Sequence, residues 1–210
     1  MFEELQSAPL SGAWDSALLG PVAEINEQML ECLRVMAADS KTASSCAAPK
    51  LVSVLREHWC RLDQKAQARL SACPYLLLDA GFAQPGRWGR MAPASVMDAA
   101  ARGGYFGNHT GITLIRRALL LAWHLARANR VMAGVILGMS ASSAERIARS
   151  RLRDLDALAE LAPGWIAPRW EQQPIVWQQL IAAACCDQPI SLRQAQLRGL
   201  QLLAREHARA

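Results

Sequence analysis

No Cys-x-x-Cys pair occurs in this chain, although it holds six cysteines: Cys32, Cys46, Cys60, Cys73, Cys185 and Cys186. That spacing marks most structural zinc sites and dithiol redox centres, so both classes lose their usual signature. His58 and Cys60 form a lone H-x-C, too little for a metal site. Cys185 and Cys186 lie in an apolar helical run and read as small core residues. The start, MFEELQSAPL, is acidic and lacks the apolar core of a signal peptide. The longest apolar candidate, ITLIRRALLLAWHLA, is broken by Arg116 and Arg117 and falls short of a membrane span. A cytoplasmic protein with reduced thiols is expected. GGYFGNHTG (103–111) has the glycines of a phosphate loop but neither its lysine nor its spacing. His109 in that loop has no nearby Ser or Cys with an obvious role, and His124 reads as a partly buried helix residue. With no nucleophile motif and no carboxylate pair, no catalytic residue, metal or cofactor is assigned and the chain is not read as an enzyme.

What is present is helix-forming. Ala and Leu dominate, Arg and Gln fill polar positions, and residues favoured in strands are sparse. With 52% apolar residues there is enough for a real core. The expected class is all-α, a multi-helix orthogonal bundle containing a helix-turn-helix-like hairpin. The net charge of +5 is uneven: residues 1–60 carry four Lys+Arg against eight Asp+Glu, and the excess of cations lies beyond them. We therefore divide the chain into an acidic helical region, 1–110, for dimer or partner binding, and a basic helical region, 111–210. A basic surface can meet nucleic acid or an acidic protein, or simply be well solvated.

Apolar spacing predicts a helix over 22–37, with Val22, Ile25, Met29, Leu30 and Leu33 on one side. Residues 39–50 read as a linker. Pro49 opens a helix with Leu51, Val54, Leu55, Trp59 and Leu62 on one side, and Asp63 caps a short helix over 63–72. CPYLLLDAGF (73–82) is taken as a buried helical turn rather than a strand. Residues 83–110 read as loops ending in a Thr110 cap. A long helix then runs from Gly111 towards Leu137, with a break near Asn129. Helices over 141–149, 151–162 and 174–186 come next, and Ser191 with Gln194 gives a capping box for a last one over 192–207.

The stretch NRVMAGVILGMSASSAERIAR (129–149) has the parts of two helices folded on a tight turn. Gly138 supplies the residue tolerant of positive φ. Gly134 and Ala133 are small enough for a close crossing, Leu137 and Met139 flank the turn, and Ala144 and Ile147 fall on the inner face of the second helix. Ser140 is the expected N-cap. Ser142, Ser143, Glu145, Arg146 and Arg149 are left facing outward, and Arg151 and Arg153 extend the basic face. Such a helix can enter a major groove, with Arg146 and Arg149 on DNA, Ser142 and Ser143 on phosphates or bases, and Arg153 on the backbone. A bend in a purely structural helical core uses the same residues. Glu145, Asp154 and Asp156 count against the DNA reading.

ARANRVMAGVILGMSASSAERIARSRLRDLDALAE (126–160) resembles the flagellar transcriptional activator subunit FlhD of bacteria. The likeness runs without gaps through Leu137-Gly138, Ala144, Ala148, Leu152, Leu155 and Leu158–Glu160, and Pro168-Arg169-Trp170 is loosely similar to the next segment of that family. The resemblance implies an α-helical transcription regulator that dimerises and works with a second subunit on promoter DNA. The family's cysteine near the end of this region is unmatched, since Ala167 and Pro168 stand there, so its covalent dimer link does not carry over.

Trp165, Arg169 and Trp170 form an aromatic, basic cluster that reads as a protein-binding spot or as a staple holding the C-terminal helix. The expected function is thus a bacterial regulator subunit that binds DNA with a protein partner, or as a homodimer reading half-sites one turn apart. The competing expectation is a helical adaptor or scaffold of a bacterial multi-protein assembly, with no DNA contact.

Overall fold

The computed structural model describes residues 15–39, 49–84, 87–88 and 105–209. Among them the chain forms ten α-helices, one 3₁₀ turn and a two-stranded sheet, an all-α multi-helix fold. The helices are α1 (Asp15–Ala38), α2 (Lys50–Val54), α3 (Arg56–Arg61), α4 (Gln64–Ser71), α5 (Asn108–Ala128), α6 (Arg130–Leu137), α7 (Ala141–Arg149), α8 (Leu152–Leu161), α9 (Pro174–Cys185) and α10 (Pro189–Arg209). The strands are β1 (Leu78–Asp79) and β2 (Ala167–Pro168), and the 3₁₀ turn is Pro163–Trp165.

α5 is the axle. Its apolar positions Leu114, Ile115, Ala118, Leu119, Ala122 and Leu125 are fully buried at helical spacing. α1, α6, α7, α8 and the 3₁₀ turn all pack on it. α1 also covers α3 and α4, α9 packs on α3 and α4, and α10 lies across α6 and α9. A single core runs from Val22 to Leu203. Among the described residues, those before and after position 110 therefore share one interior.

Asn26 shows how the halves are joined. It is fully buried in α1, its amide donates to the carbonyls of Ser71 (3.1 Å) and Tyr75 (3.0 Å), and its oxygen accepts from the Leu77 N–H (2.8 Å). The Leu76 N–H reaches the Ile136 carbonyl at 2.9 Å, and β1 pairs antiparallel with β2, Leu78 opposite Pro168 and Asp79 opposite Ala167. Residues 76–79 are thus extended, not helical as expected. Their backbone groups find partners on α1, α6 and β2, and a helix would leave those partners unpaired.

Other local expectations also change. α1 begins at Asp15 and continues through Pro21, with Leu19 packed against the core. The helix after Pro49 splits at Leu55, and Val54 faces solvent. α5 starts at Asn108 behind Gly107, so Thr110 lies within its first turn and is not the cap. α10 starts at Pro189, ahead of the expected Ser191–Gln194 box. Cys185 and Cys186 are exposed rather than core residues, and His124 is exposed as well. Asp63 does cap α4, its carboxylate accepting the Ala66 N–H at 2.7 Å. Most of the expected loops, over 40–48 and 89–104, lie outside the described residues.

Candidate nucleic-acid interface

Two polar caps and one glycine shape the hairpin. Asn129 leaves helical geometry at φ −158°, ψ 104°, ending α5, and its side chain accepts the Met132 N–H at 3.1 Å to start α6. Gly138 then adopts φ 63°, ψ 35°, the left-handed conformation that stops α6. Ser140 caps α7, its hydroxyl accepting the Ser143 N–H at 3.3 Å and donating to the Ser143 hydroxyl at 3.0 Å. The Ser140 N–H is held by the Phe82 carbonyl at 3.1 Å.

The turn is locked from behind. A Cβ on Gly138 would stand 2.9 Å from Arg169 Nη1 and 3.1 Å from Leu203 Cδ2. The Arg169 guanidinium donates to the carbonyls of Leu76 (2.9 Å), Leu78 (3.3 Å) and Leu137 (2.8 Å), and lies 3.7 Å from the Glu206 carboxylate. The Leu137 carbonyl is one of the orphan acceptors at the end of α6, so a cation there satisfies it and complements the helix dipole. Arg169 is 4% exposed, and Trp165 and Trp170 are each 6% exposed. The indole N–H of Trp170 donates to Glu206 at 2.9 Å, and Trp165 meets Trp88 edge-on at 5.4 Å. The trio staples the C-terminal part onto the core, which corrects its reading as a surface for partners.

α7 is sharply two-faced. Ser143, Ala144 and Ile147 are buried, and α7 packs on α5. Ala141, Ser142, Arg146 and Arg149 face solvent. Ser143, expected on the outer face, is fully buried because its hydroxyl and N–H complete the Ser140 cap, so it cannot touch DNA. Arg149 is paired with Glu145 at 2.7 Å, one helical turn away, and Arg153 lies 3.6 Å from Asp154. Arg146 and Arg151 are exposed and make no ion pair among the described residues.

A tryptophan fixes the far end of α7. The Trp123 indole N–H donates to the Ser150 carbonyl at 3.0 Å, tying the α7–α8 joint to α5. Arg127 stacks on the same ring, its guanidinium carbon 4.5 Å from the centroid. Arg127 therefore joins Arg149 and Arg151, which flank Ser150. Sequence reasoning missed Arg127 and Trp123, although their four-residue spacing on α5 puts them on one helix face.

The site is a fixed cationic ridge made of the outer side of α7, the α7–α8 joint and the end of α5. Among the described residues no cluster of three or more His, Cys, Asp or Glu is placed to hold a metal ion, and no helix is long and apolar enough to cross a membrane. Fold and ridge define an all-α protein with a helix-turn-helix-like hairpin and an arginine-bearing outer helix. Compared with protein-family models, with characterised proteins and with solved structures, the chain has no significant match.

Proposed function

We propose that this chain is a bacterial transcription-regulator subunit that binds DNA through the α7–α8 ridge and works with a protein partner. The observation that carries this is the ridge itself: Arg146, Arg149 and Arg151 stand clear of the core on a hairpin immobilised by Gly138, Ser140 and Arg169. The resemblance of residues 126–160 to the FlhD family supports the same reading. The burial pattern favours one docking mode. Leu137–Ser140 are buried, so the start of α7 is embedded, and its outer face and C-terminal end are what a duplex can reach. Arginines placed there neutralise phosphates, while Ser142 is the remaining outward group near base edges. Phosphate contacts position without reading sequence, so sequence choice falls to the partner subunit.

The test is a salt titration of duplex binding by the purified, folded chain. Affinity falls steeply with salt, and Arg146→Ala with Arg151→Ala, the two ridge arginines that make no ion pair among the described residues, lowers the log–log slope by about 2. Arg116→Ala leaves the slope unchanged, because Arg116 is engaged by Asp156 (3.1 Å) and Glu160 (3.3 Å). Absence of salt-dependent binding at low ionic strength overturns the DNA reading. A helical adaptor is the second reading, favoured by the exposed Val131 (75%) and Val135 (49%) on α6. On that reading Val131→Asp with Val135→Asp abolishes partner capture, and the arginine pair is dispensable.

A further inference from the structure

Two helices of 21 residues, α5 and α10, are held very differently. α5 buries nine of its residues. Over 189–206, α10 buries only Gly199 and Leu203. Its Leu192, Ala195, Leu200 and Leu202 are half-buried, and Ile190 and Leu197 stand 68% and 58% exposed. Between α9 and α10 lies a cavity of about 220 Å³, bordered by Val176, Leu180, Ala195 and Leu202. An element with so few buried apolar contacts opens at lower free energy than the core beside it.

What α10 covers is poorly satisfied. Gly199 lies against Tyr75, so closely that a Cβ there would collide with its hydroxyl. That hydroxyl is shut off from water and makes no well-formed hydrogen bond among the described residues. The Cys73 thiol beside it is a weak partner. Cys73 is 1% exposed, and the Gln196 amide of α10 reaches its sulfur at 3.8 Å. A buried hydroxyl without a good partner costs free energy, and that cost ends when water reaches it. Closing α10 therefore carries a penalty that opening removes.

We infer that α10 is a strap that opens and closes on an otherwise folded molecule, baring the Cys73 thiol and the Tyr75 hydroxyl each time. Beyond Gln196, its fastenings are Glu206 with Trp170 (2.9 Å) and Arg169 (3.7 Å), Leu203 against Gly138, and Arg198 with Gln179 (3.3 Å). The three carbonyls that hold the Arg169 guanidinium belong to Leu76, Leu78 and Leu137, none of them on α10. The Gly138 turn therefore survives opening. The strap governs access to a thiol and clamps the hairpin from behind, and it does so whether or not the ridge binds DNA.

Hydrogen exchange of the full chain, read by mass spectrometry, tests this together with thiol modification. Amides over 196–203 should exchange about tenfold or more faster than those in the middle of α5, with a shallower dependence on urea. In a chain that keeps Cys73 alone, its other five cysteines changed to Ser, N-ethylmaleimide reports the same opening at the thiol. Leu203→Ala should speed both readouts about tenfold or more. Ile115→Val lies in α5, which packs on α1, α6, α7 and α8. It should speed the α5 amides about fivefold and leave 196–203 and Cys73 unchanged. Equal responses of all three to Ile115→Val mean that they open only by global unfolding, and overturn the proposal. A Cys73 that Leu203→Ala does not speed overturns it equally, because access to the thiol then does not run through α10. The exchange arm uses the natural cysteines, so it decides even where the five-serine chain does not fold.

Discussion

At Gly138 and Gly20 the same substitution is unfavourable for different reasons. Gly138 sits at φ 63° with Arg169 and Leu203 against its missing Cβ. Arg169 cannot retreat without releasing three carbonyls, so Gly138→Ala costs about 1–3 kcal/mol. Gly20 lies in α1 directly before Pro21, whose ring disfavours a Cβ on a helical residue preceding it, so Gly20→Ala loses stability although space beyond its chain neighbours is open. Urea midpoints of the two variants check both. Cys73 gives a pH dependence. Burial pushes its thiol from 9.0 up to about 12, against the weaker pull of the Gln196 amide. An acid whose folded pKa is raised leaves stability intact below the unfolded value and erodes it above. Stability should hold to about pH 9 and then fall towards pH 12, by up to about 1.4 kcal/mol per pH unit for this group. Burial raises Cys32 and Cys185 as well, so Cys73→Ala should shrink the slope in a urea series at pH 8–10.5 without abolishing it. Residue burial was the part least legible in the sequence. Ser143 sits beside outward Ser142, and although both hydroxyls reach that of Ser140, only Ser143 turns inward and gives the cap its N–H. Arg169 looks like a surface charge until the carbonyls of Leu76 and Leu78, more than ninety positions earlier, are placed beside it.

At the scale of elements, local signals served wherever a helix is stopped by its own chemistry. Asn129, Gly138, Ser140 and Asp63 each act within a few residues, and their roles can be read from sequence. Asn129→Ala removes the acceptor for the Met132 N–H and should cost about 1 kcal/mol, measured as a lower melting temperature, with α5 left intact. Segment 73–82 was illegible for the opposite reason. Its apolar run has no period, and its extended form is imposed by Asn26, Ile136 and β2. The splitting of α2 from α3 at Leu55, which leaves Val54 outside, is likewise absent from the apolar pattern.

For the whole molecule, the exposed cations that make no ion pair among the described residues include Arg146 and Arg151, on either side of the end of α7. If duplex DNA engages that end of α7, adding duplex at low salt should raise the sedimentation coefficient of the chain, and about 0.5 M salt should reverse the change. The Arg116→Ala chain should behave as the wild type does.

The meeting point at Leu76–Leu78 also governs the order in which the molecule can be made. Arg169, which holds those carbonyls, comes 93 residues after Leu76. At a synthesis rate of about 5–20 residues per second, roughly 5–20 s pass before the guanidinium arrives. Throughout that interval the nascent YLLL segment has no finished seat, and its apolar side chains stay open to other surfaces.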